Sequence, residues 1–393
     1  MDIARSFTSQ HDAITCVDLH TTGEPTRIVI SGYPDLTGTL LEQRAEAKHS
    51  HDHIRRQLLL EPRGHSDMYG AILRQNTEQT ASGNAHIGVL FATNSGYSTM
   101  CGHATIALGR VLLDTHDKAV FSNRDKVAFD AETKTASLTL HAPCGLVHVT
   151  VPTNSNGTAS DPTRPVSHIS VPSFTTGINI KVFLKAPYRW PELCGRHHVT
   201  ADFSYGGAFY CFITAAELGF PDGLSSPVDI DAMNVATRNL KAAINENSEM
   251  KHLFSHPDHN DLGFLYSIIV ADKDAGVPIA QSTRAETGLC FFSDQQVDRS
   301  PTGSGVAARI ALAQARGELT KDESITYHSL LSNSLGGRGG FVGSLHEVVG
   351  MQGAFPVVRA RVEGYASYTG TSTFVVEKDD ALGQDGFLFD RLE

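Results

Sequence analysis

The sequence predicts an α/β or α+β protein that contains much antiparallel sheet and two related halves. β-Branched runs such as TRIVI, LVHVTV and TFVVEK alternate irregularly with helix-like segments, and Gly, Pro and Asn separate them. With 393 residues, of which 40% are hydrophobic and 19% charged, the chain is long enough to form two domains or lobes. One segment in each half repeats the same design, which indicates that the two lobes are related.

Composition excludes several classes of partner. The formal net charge of -11 contains no basic block, so neither a nucleic-acid partner nor an anionic membrane surface is expected. The first twenty residues hold no continuous apolar segment of the kind found in a secretory leader, and no later stretch approaches the length of a transmembrane helix. We therefore expect a soluble, cytoplasmic protein that does not enter a membrane.

Cysteine and histidine usage argues against a bound metal. The six cysteines are dispersed without a CxxC pair or a Cys/His ligand spacing, which predicts free thiols and no zinc site. The densest histidine cluster, HSHDH from His49 to His53, continues into IRRQLLLEPRG and predicts a helix that ends before Pro62. The histidines would lie at its start or on its polar face. A metal site in this cluster is the alternative, and we predict none.

Two segments share one design. They are MCGHATIALGRVLL from Met100 and SPTGSGVAARIALAQA from Ser300, and aligning Cys101 with Thr302 also aligns Gly102 with Gly303. Each predicts a buried helix whose unpaired N–H groups and positive dipole end can hold a carboxylate. The same dipole would lower the pKa of a thiol at the helix start, so Cys101 is a candidate base or nucleophile. The alternative is that Cys101 is only a small buried residue.

The motifs MCGHAT and DRSPTGSGVAAR together resemble the proline racemase family. The resemblance covers nearly the whole chain, and four further stretches carry it: DLHTTGEPTRIV, LEPRGHSDMYGA, DFSYGGAFYCFI and YTGTSTFVVEKDD. It implies a diaminopimelate-epimerase-like fold of two pseudo-symmetric lobes, each a curled, mostly antiparallel sheet around a central helix, with the active site between them.

The expected lobes follow from that fold and from one stretch of composition. Pro, Ser and Asn gather between Pro152 and Pro172, which predicts a connection between lobes or a surface excursion. The resemblance implies that the last strands return to the first lobe. We therefore expect a first lobe of residues 12–160 plus 366–393, which carries Cys101, and a second lobe of residues 161–365, which carries Thr302.

The resemblance also implies a reaction. Racemases and epimerases of the family carry a thiol on each face of the substrate's α carbon, but here Thr302 takes the place of the second thiol. A Thr hydroxyl is a poor acid near neutral pH, so racemisation is not expected. The dehydratase branch of the family needs one thiol: Cys101 would remove the α proton of trans-3-hydroxy-L-proline, and loss of water would give Δ1-pyrroline-2-carboxylate. Thr302 would hydrogen-bond or shape the opposite face.

The remaining site residues also come from the resemblance. His103 and Asp298 would contact the ring nitrogen of the imino acid. Backbone N–H groups would bind its carboxylate, and these belong to Gly102, His103, Gly303 and Ser304. An ordinary helix-surface role for His103 and a loop or cap role for Asp298 are the alternatives.

The remaining expectations concern the cofactor, the substrate, the oligomeric state and the alternative functions. The resemblance implies that no cofactor is needed, and no nucleotide is expected because the loop SLGGRGGF lacks both GxGxxG and the Walker ending. The substrate is a small imino acid, and a homodimer is allowed. GGAFY, from Gly206, is an aromatic wall near the ring or a strand with a bulge, and the five remaining cysteines are taken as packing residues. A proline racemase or 4-hydroxyproline 2-epimerase is the alternative enzyme. A non-catalytic imino-acid binder is the alternative of a different class.

Overall fold

The computed structural model divides into two compact units. One contains the described residues within Met1–His168 and Tyr365–Glu393, and the other those within Ile169–Gly364. The described residues are Ile3, Ser6, 12–225 and 227–389. The prediction that no secretory leader is present concerns the first twenty residues, and most of residues 1–11 within that stretch lie outside the described residues. Across the part of the chain that is described, no helix has the length and apolar character needed to cross a membrane.

The elements alternate irregularly along the chain, as the sequence predicts. The strands are β1 (Ile14–Thr21), β2 (Glu24–Ser31), β3 (Gly70–Arg74), β4 (Ile87–Ala92), β5 (Tyr97–Ser98), β6 (Ala128–Asp130), β7 (Thr135–Ala142), β8 (Gly145–Pro152), β9 (Val166–Ile169), β10 (Ser173–Phe183), β11 (His198–Tyr205), β12 (Phe209–Thr214), β13 (Leu265–Asp272), β14 (Arg284–Phe292), β15 (Gln296–Val297), β16 (Ser324–His328), β17 (Phe341–Gln352), β18 (Phe355–Gly364) and β19 (Ala366–Phe374). The α-helices are α1 (Leu40–Ser50), α2 (Asp52–Leu59), α3 (Glu78–Ala81), α4 (Gly102–Asp114), α5 (Ala215–Leu218), α6 (Ile230–Glu246), α7 (Gly303–Ala315), α8 (Leu330–Ser334) and α9 (Ala381–Asp385).

Strand pairing in the first unit combines hairpins with two parallel contacts. β1 lies between β19 and β2 and is antiparallel to both. β2 then pairs in parallel with β3, and β3 is antiparallel to β4. β4 turns back into the short strand β5 and also pairs in parallel with β7, which is antiparallel to β8. The parallel contacts need long connections, and α1 and α2 fill the first of these.

The second unit repeats this pairing strand for strand. β11 lies between β10 and β12 and is antiparallel to both. β12 is parallel to β13, β13 is antiparallel to β14, and β14 turns back into β15. β14 is also parallel to β16, which is antiparallel to β17. β17 pairs with β18, and β18 pairs with β10, so the strands of this unit close into a ring. The predicted internal similarity is confirmed.

Each sheet curls around one buried helix. In the first unit α4 packs against β1, β2, β8 and β19, and in the second α7 packs against β10, β11, β17 and β18. Both helices are rich in Ala, Leu and Ile on every side, which is typical of a helix that is buried all round. Close packing is visible at Gly109, where an added Cβ would lie 3.1 Å from side-chain carbons of Val149, Val151 and Val166. The predicted central helices are therefore confirmed.

The histidine cluster lies on two short helices. α1 carries His49 in its last turn, and α2 begins at Asp52 and ends at Leu59, before Pro62 as predicted. His49 and His53 are exposed. Within the described residues, no group of three or more His, Cys, Asp or Glu side chains is arranged to hold a metal ion.

The GGAFY segment forms the turn of a hairpin. Tyr205 at the end of β11 pairs with Phe209 at the start of β12, and Gly206, Gly207 and Ala208 connect them. Gly206 packs directly on α7, because a Cβ built there would lie 2.2 Å from the Ser304 carbonyl oxygen and 2.6 Å from the Ala308 nitrogen. Glycine is needed at this position so that the hairpin can approach the helix.

We expect Gly206→Ala to lower the free energy of unfolding by about 1–3 kcal/mol, the usual range for overpacking. Backbone atoms of α7 cannot move aside as a flexible side chain can. The matched control is Gly350→Ala in β17, where an added Cβ would have no atom within 4 Å. Denaturant unfolding of both variants tests this, and equal effects would contradict the close approach.

Candidate active site

Cys101 lies at the start of α4, as the sequence predicts. Its backbone is extended, with φ -146° and ψ 113°, and its sulfur accepts a hydrogen bond from the backbone N–H of Ala104 at 3.3 Å. The Thr105 hydroxyl donates to the Cys101 carbonyl at 2.7 Å and fixes the backbone there. The sulfur therefore caps the helix, where the positive end of the dipole favours an anion.

His103 is a titratable neighbour of that sulfur. Cys101 Sγ lies 3.2 Å from Nδ1 and 3.5 Å from Nε2 of the ring. Burial lowers the pKa of His103 to about 3, although a hydrogen bond with the Pro25 backbone opposes the shift. The ring is therefore neutral near pH 7 and cannot act as a cationic partner of a thiolate. It is buried, so a helix-surface role for His103 is wrong.

Two further side chains fix His103, and sequence reasoning missed both. Tyr69 packs edge-on against the ring with centroids 4.7 Å apart, and its hydroxyl forms a 2.8 Å hydrogen bond with Ser98 Oγ. Thr21 Oγ1 donates to the His103 carbonyl at 3.0 Å. Tyr69 and Thr21 lie in the motifs LEPRGHSDMYGA and DLHTTGEPTRIV, which carry the family resemblance but do not show where their side chains point.

Thr302 lies at the start of α7 in a different backbone conformation. Its φ of 62° and ψ of 84° fall in the left-handed region, and its side chain makes no cap hydrogen bond. The hydroxyl instead donates to Asp298 Oδ2 at 2.7 Å. The Thr302 N–H donates to Ser300 Oγ at 3.1 Å. The hydroxyl proton is therefore committed to a carboxylate, and a lone pair of Oγ1 stays available as an acceptor.

Asp298 is a buried carboxyl group. Its Oδ1 accepts the backbone N–H of Ser300 at 2.7 Å, and its Oδ2 accepts the Thr302 hydroxyl. Burial raises the pKa of Asp298 to about 6, against the lowering effect of these hydrogen bonds and of Arg299. The group is mainly ionised near pH 7 and gains a proton in mildly acidic solution.

The start of α7 has two further contacts that the sequence did not predict. Ser304 Oγ forms a 2.7 Å hydrogen bond with the buried Tyr210 hydroxyl. Cys290, on β14, lies beside Ser267 Oγ at 2.9 Å and hydrogen-bonds with Thr302. Burial raises the pKa of Cys290 to about 12, so it remains a thiol. It thus contacts the site as well as packing in the core.

The structure brings the predicted residues together in two groups. Cys101, Gly102 and His103 share one helix start, and Asp298, Thr302, Gly303 and Ser304 share the other. The first N–H groups of a helix have no partner within it, so the predicted donors all lie where an anion could be bound. Their predicted contacts with a carboxylate and a ring nitrogen stay predictions. One packing assignment is wrong: Cys194 is exposed, in a left-handed conformation after a short turn.

Comparison with known proteins gives consistent matches over nearly the full length. A family model described as proline racemase matches residues 16–388. The chain is 40% identical over 378 residues to a trans-L-3-hydroxyproline dehydratase from Pongo abelii, which covers 95% of this chain and 94% of that one. It is also 40% identical over 380 residues to a trans-3-hydroxy-L-proline dehydratase from Homo sapiens, with coverage of 95% and 94%.

A solved structure confirms the predicted fold class. It is a hydroxyproline epimerase from Agrobacterium vitis with bound trans-4-hydroxy-L-proline, and it superposes with a TM-score of 0.73 over 96% of both chains. The sequence identity is 21%, so this likeness concerns the fold.

The raised pKa of Asp298 predicts a pH dependence of stability. Because the folded pKa of about 6 exceeds the ordinary value of 3.8, the folded state binds this proton more tightly. The resulting stability is complete below about pH 4 and is lost as the pH rises through 6. We expect the free energy of unfolding of the wild type to fall by about 3 kcal/mol between pH 4 and pH 6 because of this group. In Asp298→Asn this fall should be absent.

The matched control is Asp322→Asn, which changes an exposed carboxylate. It should leave the pH dependence as in the wild type. Urea unfolding at several pH values measures both slopes. If the slope between pH 4 and pH 6 were the same in all three proteins, Asp298 would not be the responsible group.

Proposed function

Since the chain belongs to the proline racemase family, we propose that it dehydrates trans-3-hydroxy-L-proline to Δ1-pyrroline-2-carboxylate. The observation that carries this proposal is the pair of helix starts, with a thiol at Cys101 and a hydroxyl at Thr302. The relatives that are 40% identical over 95% of the chain, and are named dehydratases of this imino acid, support it. The two lobes of the proposal are residues 12–160 plus 366–393 and residues 161–365.

Cys101 is the base in this proposal. The Ala104 N–H and the helix dipole stabilise the thiolate, since His103 is neutral and adds no charge. The thiolate removes the α proton, which lies on the same face of the ring as the 3-hydroxyl. The Cys101 S–H formed in this step then protonates the departing hydroxide, so water leaves and the thiolate is restored. The enamine that remains tautomerises to the cyclic imine.

Backbone amides bind the substrate carboxylate in this proposal. As the α proton leaves, negative charge moves into the carboxylate, and donors that are already in place stabilise it without reorganisation. The proposed donors are the N–H groups of Gly102, His103, Gly303 and Ser304. Asp298 contacts the ring ammonium, which its buried carboxylate can attract near pH 7. No cofactor takes part.

The environment of Thr302 supports dehydration over inversion. Its hydroxyl proton is directed at Asp298 Oδ2, 2.7 Å away, and a Thr hydroxyl is a weak acid. It is therefore a poor donor of a proton to the α carbon from the opposite face. A proline racemase or 4-hydroxyproline 2-epimerase needs such an acid at this position. Thr302 shapes that face of the site and accepts a hydrogen bond there.

The first functional prediction concerns Cys101→Ser. Purified wild type, without added cofactor and after chelation of metals, should form the cyclic imine from trans-3-hydroxy-L-proline. Cys101→Ser should lose nearly all turnover, because a serine alkoxide is not accessible near neutral pH whereas a thiolate is. Detection of the imine by trapping measures both reactions.

The matched control is Cys194→Ser, which replaces an exposed thiol and should keep full activity. Pyrrole-2-carboxylate, a planar analogue of the intermediate, should bind wild type and Cys101→Ser alike. Turnover that required an added metal or nucleotide, or a fully active Cys101→Ser variant, would overturn the mechanism.

The second functional prediction concerns Thr302→Cys, which places a thiol at the second helix start. A thiol is acidic enough to protonate the carbanion from the opposite face, so the variant should invert the α carbon of L-proline or of a 4-hydroxyproline. These substrates lack a 3-hydroxyl that could leave. Wash-out of the α proton in deuterated water and optical rotation follow exchange and inversion separately.

Thr302→Ser is the matched control for this prediction, since it keeps a hydroxyl and should not invert. Wild type should exchange the α proton through Cys101 with retention only. If wild type inverted the centre as fast as Thr302→Cys, the epimerase would be the better assignment.

A further inference from the structure

A buried arginine binds the turn that precedes Cys101. β4 and β5 form a hairpin whose turn is residues 93–96, which we call the first hairpin. Arg55, on α2, donates from one guanidinium nitrogen to the carbonyls of Thr93 at 2.8 Å and Asn94 at 2.6 Å. Its other nitrogens bind the Asp52 carboxylate at 2.6 and 2.7 Å. Asp52 thus orients the guanidinium toward the turn.

A half-buried lysine binds the equivalent turn before Thr302. β14 and β15 form the second hairpin, whose turn is residues 293–295. Lys241, on α6, donates from Nζ to the carbonyls of Ser293 at 2.8 Å and Tyr266 at 2.7 Å. It therefore joins the turn to the start of β13.

The second turn is constrained from the same helix by its own side chain. Gln295 Nε2 donates to the Asn234 carbonyl at 2.9 Å and to Thr237 Oγ1 at 3.1 Å. Ser293 and Gln295 both have left-handed backbones, with φ of 51° and 57°. Such conformations in non-glycine residues cost about 1–3 kcal/mol each and persist only where surrounding contacts enforce them.

The two contacts are topologically equivalent. Phe91 and Phe292 belong to matched strands, and in each unit the cation binds the carbonyl of the first turn residue, Thr93 or Ser293. Only a few residues of the chain lie between each turn and the helix-start residue that follows it, Cys101 or Thr302. A shift of the hairpin therefore moves the helix start that follows it.

We propose that Arg55 and Lys241 are positioning residues, each a cation that sets the hairpin before one helix start. Arg55 positions Cys101, and Lys241 positions Asp298 and Thr302. The effect on turnover rests on the dehydration proposed above, whereas the effect on the hairpins does not. Neither residue contacts the reacting atoms in this assignment.

Kinetics of variants separate the two roles. Arg55→Met displaces the base, and we expect kcat to fall about 100-fold, the cost of a misplacement near 1 Å. Lys241→Met displaces the groups proposed to bind the carboxylate and the ring ammonium of the substrate. KM for trans-3-hydroxy-L-proline should therefore rise on the order of 10-fold. Arg55→Lys and Lys241→Arg keep a cation and should recover part of each loss. The control Arg238→Met removes an exposed charge from the same helix as Lys241 and should change neither constant.

The two cations also differ in pH response. Burial lowers the pKa of Lys241 to about 8, although the Asp294 carboxylate that faces it opposes the shift. Cys290 also faces it, but as a neutral thiol at this pH. Above pH 8 the neutral amine makes weaker hydrogen bonds. Because the unfolded lysine keeps its proton to a higher pH, this group makes the fold more stable, not less, between pH 8 and 10. If KM rises above pH 8 in the wild type but not in Lys241→Arg, unfolding is therefore not the cause.

Hydrogen exchange tests the positioning role independently of any substrate. In Arg55→Met the amides of residues 93–98 should exchange faster, and in Lys241→Met those of residues 293–298, with the other hairpin unchanged. Uniformly faster exchange throughout the unit, or no change in either hairpin, would overturn the proposal. Localised exchange in a protein with no dehydratase activity would instead contradict the proposed function and leave this inference in place.

Discussion

The backbone conformation of the residue before each central helix determines what its side chain can do. Cys101 is extended, so its sulfur turns back and caps the Ala104 N–H. Thr302 is left-handed, which directs its hydroxyl away from its own helix and toward Asp298. Threonine is rare in this region, at a cost of about 1–3 kcal/mol. The other contacts of the two sites are built around this difference.

Burial then sets the protonation state of each neighbouring group. His103 lies below 4% exposed and is neutral, Cys290 is a thiol, and Asp298 is the group whose pKa approaches the physiological range. A thiolate at Cys101 therefore depends on amides and the helix dipole for its stability. Amides are fixed dipoles that need no counterion, so they can stabilise charge in a buried site where a mobile cation would lose solvation.

The sequence predicts the scaffold well and the supporting contacts poorly, for a physical reason. A run of Ala, Leu and Ile after a glycine predicts each of the two buried helices, and this pattern can be read because it is local in the chain. The φ of Thr302 has no comparable signal, since a Thr between Pro and Gly is compatible with an extended or a left-handed backbone. Arg55 and Lys241 are also missed. Their binding partners are carbonyl groups, which every residue has, and the pairing depends on where distant strands turn.

Shared topology and different chemistry in the two units together explain how one fold accommodates more than one reaction. Strand pairing and helix length are the same in both units, and a hairpin precedes the helix in each. These features are common to the two units although one helix starts at a buried thiol and the other at a buried hydroxyl. A thiol can exchange protons with carbon near neutral pH, whereas a hydroxyl bound to a buried carboxylate cannot. In the proposed reaction, the scaffold thus fixes where a proton can be transferred, and the side chain at the helix start decides whether it is.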